Sequence, residues 1–270
     1  MLEISAADLI SQIQYPMSQV LVEDCTGSTN DVVLDLIGDT YRGPVLSIAR
    51  EQSRGRGSFG KVWNSPKGGL YFSIAFVPKY IQVSKFTLLP LVSGLALVMA
   101  FEQFGVSVYI KWPNDIVVVR DKKAYKLAGI LAECRQVNVL DLAVIGVGIN
   151  VLKQKDIPLD TYALSPISLS EMHMSDKEQS ASTLISSYVN HLFDYQAMLV
   201  EGRISKEDII SQCNKHLLWK NEEVILIEKN SSANINAKLI GINIDGSMCL
   251  STECGVKHVQ SSQVSLRKRE

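Results

Sequence analysis

Hydrophobic and polar positions follow two rhythms along the chain. A helical rhythm comes first: Leu9, Ile10 and Ile13 follow Ser5, which with Asp8 three residues on makes a start signal, and Pro16 ends the run. Val20 to Glu23 is a short apolar strand. A second helix follows Ser28-Thr29-Asn30, with Val32, Val33, Leu36 and Ile37 on one side and Gly38 as its stop. The rhythm then shortens to two residues. Val45 to Ala49 is one such strand, and Gly69 to Val77 places Leu70, Phe72, Ile74 and Phe76 on one face. Residues 86–104 form a long apolar run that predicts a buried core helix. Four β-rich runs crowd behind it: Val106–Ile110, Ile116–Val119, Lys126–Glu133 and Leu140–Val147. Strands in succession without helices between them imply antiparallel neighbours, so the pattern predicts an α+β fold.

The chain turns irregular from Leu152 to Met174, around Pro158 and Pro166. Two helices follow: 178–201, with Leu184, Tyr188, Leu192 and Leu199 at helical spacing, and 205–218, capped by Ser205. After Trp219 the rhythm is short again, in Val224–Glu228, Ile235–Ile242, Ser247–Leu250 and Val256–Val259, with turns at Asn230-Ser231-Ser232 and Asp245-Gly246. Short strands and tight turns of this kind predict a small barrel. The expected domains are 1–216 and 217–270.

Composition narrows the class. Of 270 residues, 46% are hydrophobic and 20% charged, which excludes intrinsic disorder and coiled coil. Lys plus Arg is 27 against 28 for Asp plus Glu, so no whole-surface attraction to nucleic acid or acidic membrane is expected. The longest uncharged apolar stretch, Phe86 to Phe101, falls short of the ~20 residues that span a bilayer. The N-terminus is acidic, with no export signal. Cys25, Cys134, Cys213, Cys249 and Cys254 are odd in number and lack CxxC spacing, as expected of reduced thiols in the cytoplasm. His173, His191, His216 and His258 are scattered and read as structural or solvated, and Met172-His173-Met174 reads as a loop rather than a metal site. No Cys–His, Ser–His or HExxH pattern offers a covalent nucleophile or a catalytic zinc.

Chemistry gathers in four segments. Between Gln52 and Phe101 there is no Asp or Glu, while Arg54, Arg56, Lys61, Lys67, Lys79 and Lys85 all occur. The densest part is Ser53-Arg54-Gly55-Arg56-Gly57-Ser58-Phe59-Gly60-Lys61, where glycines let backbone N–H groups approach a ligand and cations match phosphate or carboxylate. By itself it is equally a solvated basic loop. Lys111-Trp112-Pro113-Asn114-Asp115 sits between two apolar strands. It reads either as an ordinary turn, with Trp112 in the core, or as a carboxylate and amide facing Mg²⁺ and nucleotide phosphates. Lys126-Leu127-Ala128-Gly129-Ile130-Leu131-Ala132-Glu133 opens a strand with an ammonium, which is either an edge charge or an anion contact. In Ile145-Gly146-Val147-Gly148-Ile149-Asn150 two glycines keep one strand face bare, which weakens a strand unless something flat lies on it.

Taken in order, Ser28-Thr29-Asn30, Gln52 with its GRG loop, KWPND, KLAGIL and GVGIN resemble the catalytic core of the biotin–protein ligase family. The resemblance runs from about residue 22 to the C-terminus. It implies a class II synthetase-like mixed sheet flanked by helices, with an SH3-like C-terminal barrel. It also implies an enzyme that joins biotin to the α-phosphate of ATP, with Mg²⁺, and passes the biotinyl group to one lysine of a biotin carboxyl carrier domain of a carboxylase.

The roles it implies can be assigned in turn. Ser28, Thr29 and Gln52 hydrogen-bond the ureido ring, and Asn30 orders their turn. Gly55, Arg56, Gly57 and Ser58 form the loop over biotin, with Arg56 on the carboxylate and adenylate phosphate. Trp63 walls the ligand, and Lys61 and Trp63 join the ATP side. Asn114 and Asp115 organise Mg-ATP and the incoming lysine, and Lys126 binds the reacting oxygens. Catalysis would rest on Lys126, Arg56 and Asp115. Gly129, Gly146 and Gly148 leave room for the ring and its valeryl chain, and Asn150 faces the nucleotide. Only 27 residues precede Ser28, too few for the winged helix of the family's repressors, so no DNA binding is expected. Monomer and homodimer both occur in the family. Ser58 departs from the family's second loop arginine, and Arg54 or Lys61 are the nearest candidates to replace it. A lipoate–protein ligase of the same fold and a non-enzymatic nucleic-acid-binding protein are the competing readings.

Overall fold

The computed structural model describes residues 4–79, 88–154, 164–172, 180–228, 234–261 and 264–268. Its frame is a seven-stranded sheet of β1 (Gln19–Glu23), β2 (Val45–Ala49), β3 (Gly69–Phe76), β4 (Tyr109–Lys111), β5 (Asp115–Arg120), β6 (Lys123–Val137) and β7 (Leu140–Asn150). The order across it is β1-β2-β3-β7-β6-β5-β4. β1 and β2 are parallel, joined through helix α2 (Thr29–Ile37), and every other neighbour is antiparallel. The sheet is mixed, as the resemblance implied.

One face of the sheet carries the main core. Helices α1 (Ala6–Gln12), α3 (Leu89–Glu102), α4 (Ala181–Val200) and α5 (Lys206–Lys215) supply it. Phe72 and Phe76 alternate onto this face of β3 and meet Tyr188 and Phe193 of α4, with ring centroids 5.3 and 5.4 Å apart. Each such fully buried side chain contributes roughly 1.5–3 kcal/mol. In α3, buried residues lie on every side of the helix, which explains a run with no polar stripe. The helix is shorter than the apolar run, beginning at Leu89 with Pro90 in its first turn, where a missing N–H costs nothing. Residue 87 and those just before it lie outside the described residues. On the opposite face α2 closes a smaller core of Val33, Ile37, Val45, Ala75, Leu142 and Val144.

Two boundaries differ from the sequence pattern for identifiable reasons. α5 stops at Lys215 rather than 218, because the chain then pairs with β4: Ile110 N–H donates to the His216 carbonyl (2.8 Å) and Leu218 N–H to the Ile110 carbonyl (2.9 Å). β6 and β7 are longer than expected, since a turn at Asn138-Val139 lets them pair down to Val137 and Leu140. The C-terminal strands β8 (Glu223–Glu228), β9 (Asn234–Ile242), β10 (Met248–Thr252), β11 (Gly255–Val259) and β12 (Val264–Lys268) form an antiparallel sheet in the order β11-β10-β9-β8-β12. β12 was not anticipated from the sequence. β11 and β12 stand at opposite edges, so among the described residues this sheet stays open and no barrel closes. Among the described residues no helix is long and apolar enough to cross a membrane.

Candidate active site

The face of the sheet opposite α3 and α4 is left bare beyond α2, and sheet register builds a floor there. One row across the strands runs Ala49, Tyr71, Gly148, Gly129, Asp115 and Lys111. The next row runs Ser47, Ser73, Gly146 and Leu131. Three glycines therefore lie side by side between a hydroxyl-bearing end and a charged end.

Lys126 belongs to this face only because the ladder slips. Ile116 pairs with Ala128 but Val117 pairs with Lys126, so Leu127 is an extra residue in β6. Leu127 and Ala128 both enter the core, while Lys126 and Gly129 both turn to the floor. Strict alternation would place Lys126 and Gly129 on opposite faces.

The charged end is compact. Lys126 Nζ lies 2.6 Å from Asp115 Oδ1, and Lys111 Nζ lies 3.8 Å from Asp115 Oδ2. Burial tends to raise the Asp115 pKa, but the Lys126 and Lys111 ammoniums outweigh it and hold the carboxyl below its usual range. Burial pushes Lys111 down, with Asp115 opposing. The turn before β5 is pinned to β6, for Ile130 N–H donates to the Asn114 carbonyl (2.9 Å) and Asn114 Nδ2 to the Ile130 carbonyl (2.7 Å). Trp112 is buried and its indole N–H donates to the Gly246 carbonyl at 3.0 Å, so it ties the two sheets together.

The hydroxyl end is a buried network at the start of α2. Thr29 N–H donates to Gln52 Oε1 (2.9 Å), Thr29 Oγ1 meets Ser73 Oγ (2.6 Å), and Ser73 Oγ donates to Asn30 Oδ1 (2.5 Å). Ser28, the N-cap of α2, makes no side-chain cap bond to the helix and lines the cavity instead.

The roof is the basic loop. It folds as a hairpin, with Trp63 N–H donating to the Gly55 carbonyl (3.0 Å) and Gly57 N–H to the Lys61 carbonyl (2.7 Å). The Trp63 indole lies directly on the glycine floor. A Cβ at Gly129 would stand 2.7 Å from the Trp63 ring, and one at Gly148 would collide with its indole nitrogen. Among the described residues the buried Trp63 N–H has no hydrogen-bond partner, and Lys126 Nζ sits 4.8 Å from the ring centroid. Arg56 pairs with Asp31 (2.7 Å) and Glu133 (3.0 Å). Ser58 Oγ accepts from Asn114 Nδ2 at 2.8 Å. Between roof and floor is a cavity of about 190 Å³.

This fold has known counterparts. Residues 22–150 match the model of the biotin/lipoate A/B protein ligase family. The bifunctional ligase/repressor BirA of Bacillus spizizenii is 27% identical over 258 residues, covering 93% of this chain and 75% of the relative. A biotin–[acetyl-CoA-carboxylase] ligase of Paracoccus denitrificans is 28% identical over 173 residues, 60% of this chain and 68% of the relative. The biotin protein ligase of Aquifex aeolicus, solved in complex with biotin and ATP, superposes with a TM-score of 0.75 at 26% identity, covering 94% of this chain and 100% of that one. Over residues 22–150 the chain is thus similar to the biotin/lipoate protein ligase family.

Most site residues expected of a family member converge on one cavity. Ser28, Thr29, Asn30, Gln52, Arg56, Gly57, Ser58, Lys61, Trp63, Asn114, Asp115, Lys126, Gly129, Gly146 and Gly148 all line it. Two do not. Gly55 is packed against Ser65 and the Trp63 backbone, where any Cβ would collide, so it serves the hairpin's own closure. Asn150 donates its side-chain amide to the Lys126 carbonyl (3.1 Å) and so fixes that strand from outside the cavity. Arg54 also stays out of the cavity, its guanidinium lying over Gly27, whereas Lys61 is on the wall.

Three contributions escaped the sequence reading. Val264, Ser265 and Leu266 of β12 complete the cavity wall, Lys111 is the second ammonium on Asp115, and Glu133 is the carboxylate that Arg56 and Asn30 share. The signal for Glu133 was its parity: it is two and four residues beyond Leu131 and Gly129 on one strand face.

Proposed function

We propose that this chain activates biotin with ATP and transfers the biotinyl group to a lysine of a carrier domain in a biotin-dependent carboxylase. The observation that carries the proposal is the pairing of a glycine floor under an indole with two cations at its charged end. A flat neutral ring fits the first, and a carboxylate meeting a triphosphate needs the second.

In the first step a biotin carboxylate oxygen attacks the α-phosphorus, and the bond to pyrophosphate breaks. Lys126 and Arg56 face the oxygens where negative charge accumulates, and preorganised cations of this kind are the main catalytic requirement of such a step. In the second step the acceptor amine, having lost a proton, attacks the acyl carbon and AMP leaves. Asp115, kept ionised by its neighbours, draws the acceptor's ammonium toward the site. Mg²⁺ would enter with the nucleotide as part of the substrate, near Asp115. The division at 217 is kept as a proposal, with β12 lending Val264–Leu266 to the cavity wall. We place the enzyme in the cytoplasm and assign it no DNA-reading role.

The test is incubation with biotin, Mg-ATP and an apo carrier domain, read by streptavidin blot and pyrophosphate release. Labelled carrier is expected. Lipoate incorporation in place of biotin would overturn the substrate, and tight salt-dependent nucleic-acid binding with no ATP consumption would overturn the enzyme.

A further inference from the structure

Glu133 stands at the head of a hydrogen-bond chain that leaves the roof loop and returns to it. Its Oε2 accepts from both Arg56 Nη2 (3.0 Å) and Asn30 Nδ2 (2.7 Å), while Oε1 accepts from Arg135 Nη2 (2.7 Å). Beyond Asn30 the chain runs through Ser73 and Thr29 to Gln52, whose Nε2 donates to Ser65 Oγ (2.9 Å). Ser65 in turn donates to the Trp63 carbonyl (2.9 Å).

An ionised carboxylate accepts and never donates, whereas the amides and hydroxyls after it can run either way. Glu133 therefore sets the direction. It obliges Asn30 to point its amino group outward and its oxygen at Ser73. The single Ser73 proton is then directed to Asn30, so Thr29 Oγ1 is the donor in its contact with Ser73 and shares that proton with Gln52 Oε1 (3.1 Å). Gln52 must accept from the Thr29 N–H and donate toward Ser65. We infer that Glu133 is a positioning residue for the proposed reaction: it fixes the donor–acceptor polarity of Asn30, Ser73 and the Thr29 hydroxyl, beside a Gln52 already oriented by the Thr29 N–H, and couples that pocket to Arg56. Side chains in that pocket then present one hydrogen-bonding pattern to a ring ligand, with the anion-binding arginine held at a set distance from it. The inference rests on the biotin-activating reading.

The experiment compares Glu133→Gln, Glu133→Asp and Asp31→Asn with the wild type. In Glu133→Gln the biotin KM should rise about tenfold, in line with loss of charge-assisted contacts, and by more than the ATP KM or kcat changes. Glu133→Asp should recover part of the loss. Asp31→Asn, which weakens Arg56 and leaves Asn30 alone, should have the smaller effect on biotin. Tryptic cleavage after Arg56 in ligand-free protein should be faster in Glu133→Gln. Equal biotin KM values in wild type and Glu133→Gln, or a lower one in the variant, would overturn the inference, as would a Glu133→Asp no better than Glu133→Gln. If Glu133→Gln fails to fold, Glu133→Asp against Asp31→Asn decides the same point. A wild type that releases no pyrophosphate from biotin and ATP would instead sink the functional reading, and the cleavage comparison in ligand-free protein would still report on Arg56.

Discussion

Arg56 and Lys126 are two cations aimed at one cavity, and they are mounted in opposite ways. Arg56 projects from a hairpin, its side chain 39% exposed, and is held by Asp31 and Glu133. Ion pairs that exposed contribute about 0–1 kcal/mol each, so a substrate anion displaces them easily. Lys126 sits in a strand and both its backbone groups are bonded to the segment around Pro166, its N–H to the Ser165 carbonyl (2.8 Å) and its carbonyl to the Ile167 N–H (3.0 Å). Its partner Asp115 keeps a second ammonium, Lys111, when Lys126 turns to a ligand. One cation travels with the roof; the other is part of the floor.

Five changes break or sharpen that contrast. Lys126→Ala removes the fixed cation, and adenylate formation should fall ~10²–10³-fold with the fold intact, read as pyrophosphate release. A rate equal to wild type would reduce Lys126 to an edge charge. Asp115→Asn leaves two ammoniums facing each other with no carboxylate, at a cost of about 3 kcal/mol at neutral pH, measured by denaturant unfolding. Because the folded Asp115 pKa lies below its unfolded value, this contribution is full above ~4 and is lost as pH falls through the folded value. The gap between wild type and variant should therefore narrow in acid, and a gap that widens would contradict the charge assignment.

Gly146→Ala acts on the hydroxyl end without touching Arg56. Its Cβ would collide with Asn30 Oδ1, the link next to Glu133, and biotin KM should rise about tenfold, the scale of mild overpacking. An unchanged KM would mean the Asn30 amide moves aside freely. Ser58→Arg should have the smallest effect. It adds a roof cation and should cut labelling of a bystander protein such as albumin severalfold, as expected for one more contact holding the intermediate. Arg54→Ala should leave bystander labelling alone, since Arg54 lies over Gly27 and outside the cavity. The reverse pattern would make Arg54 the working substitute for the missing arginine.

Local signals were legible and distant ones were not. Ser5 and Ser205 cap α1 and α5 through Asp8 and Asp208, as short-range spacing implies. The bare strand faces at Gly129, Gly146 and Gly148 were visible as composition, and the structure shows what lies on them: the Trp63 indole. Glu133 was hidden because its partners Arg56 and Asn30 are 77 and 103 residues away, and nothing near it in sequence marks a shared carboxylate. β12 was missed because Val264–Lys268 is short and gains its place only by pairing with β8. The expected barrel shows the same limit, since strand rhythm says which residues extend and not which edges meet.

The slipped residue in β6 makes the site a matter of counting. Between Lys126 and Gly129 stand two residues, both inside the core, and only the slip lets a step of three return the ammonium to the glycine face. Deleting Leu127 would keep the pairing of Lys126 with Val117 and remove the bulge, leaving Lys126 two positions from Gly129 and on the same face by plain alternation. The slip thus adds Leu127 to the core beside Ala128 without moving the ammonium off the floor.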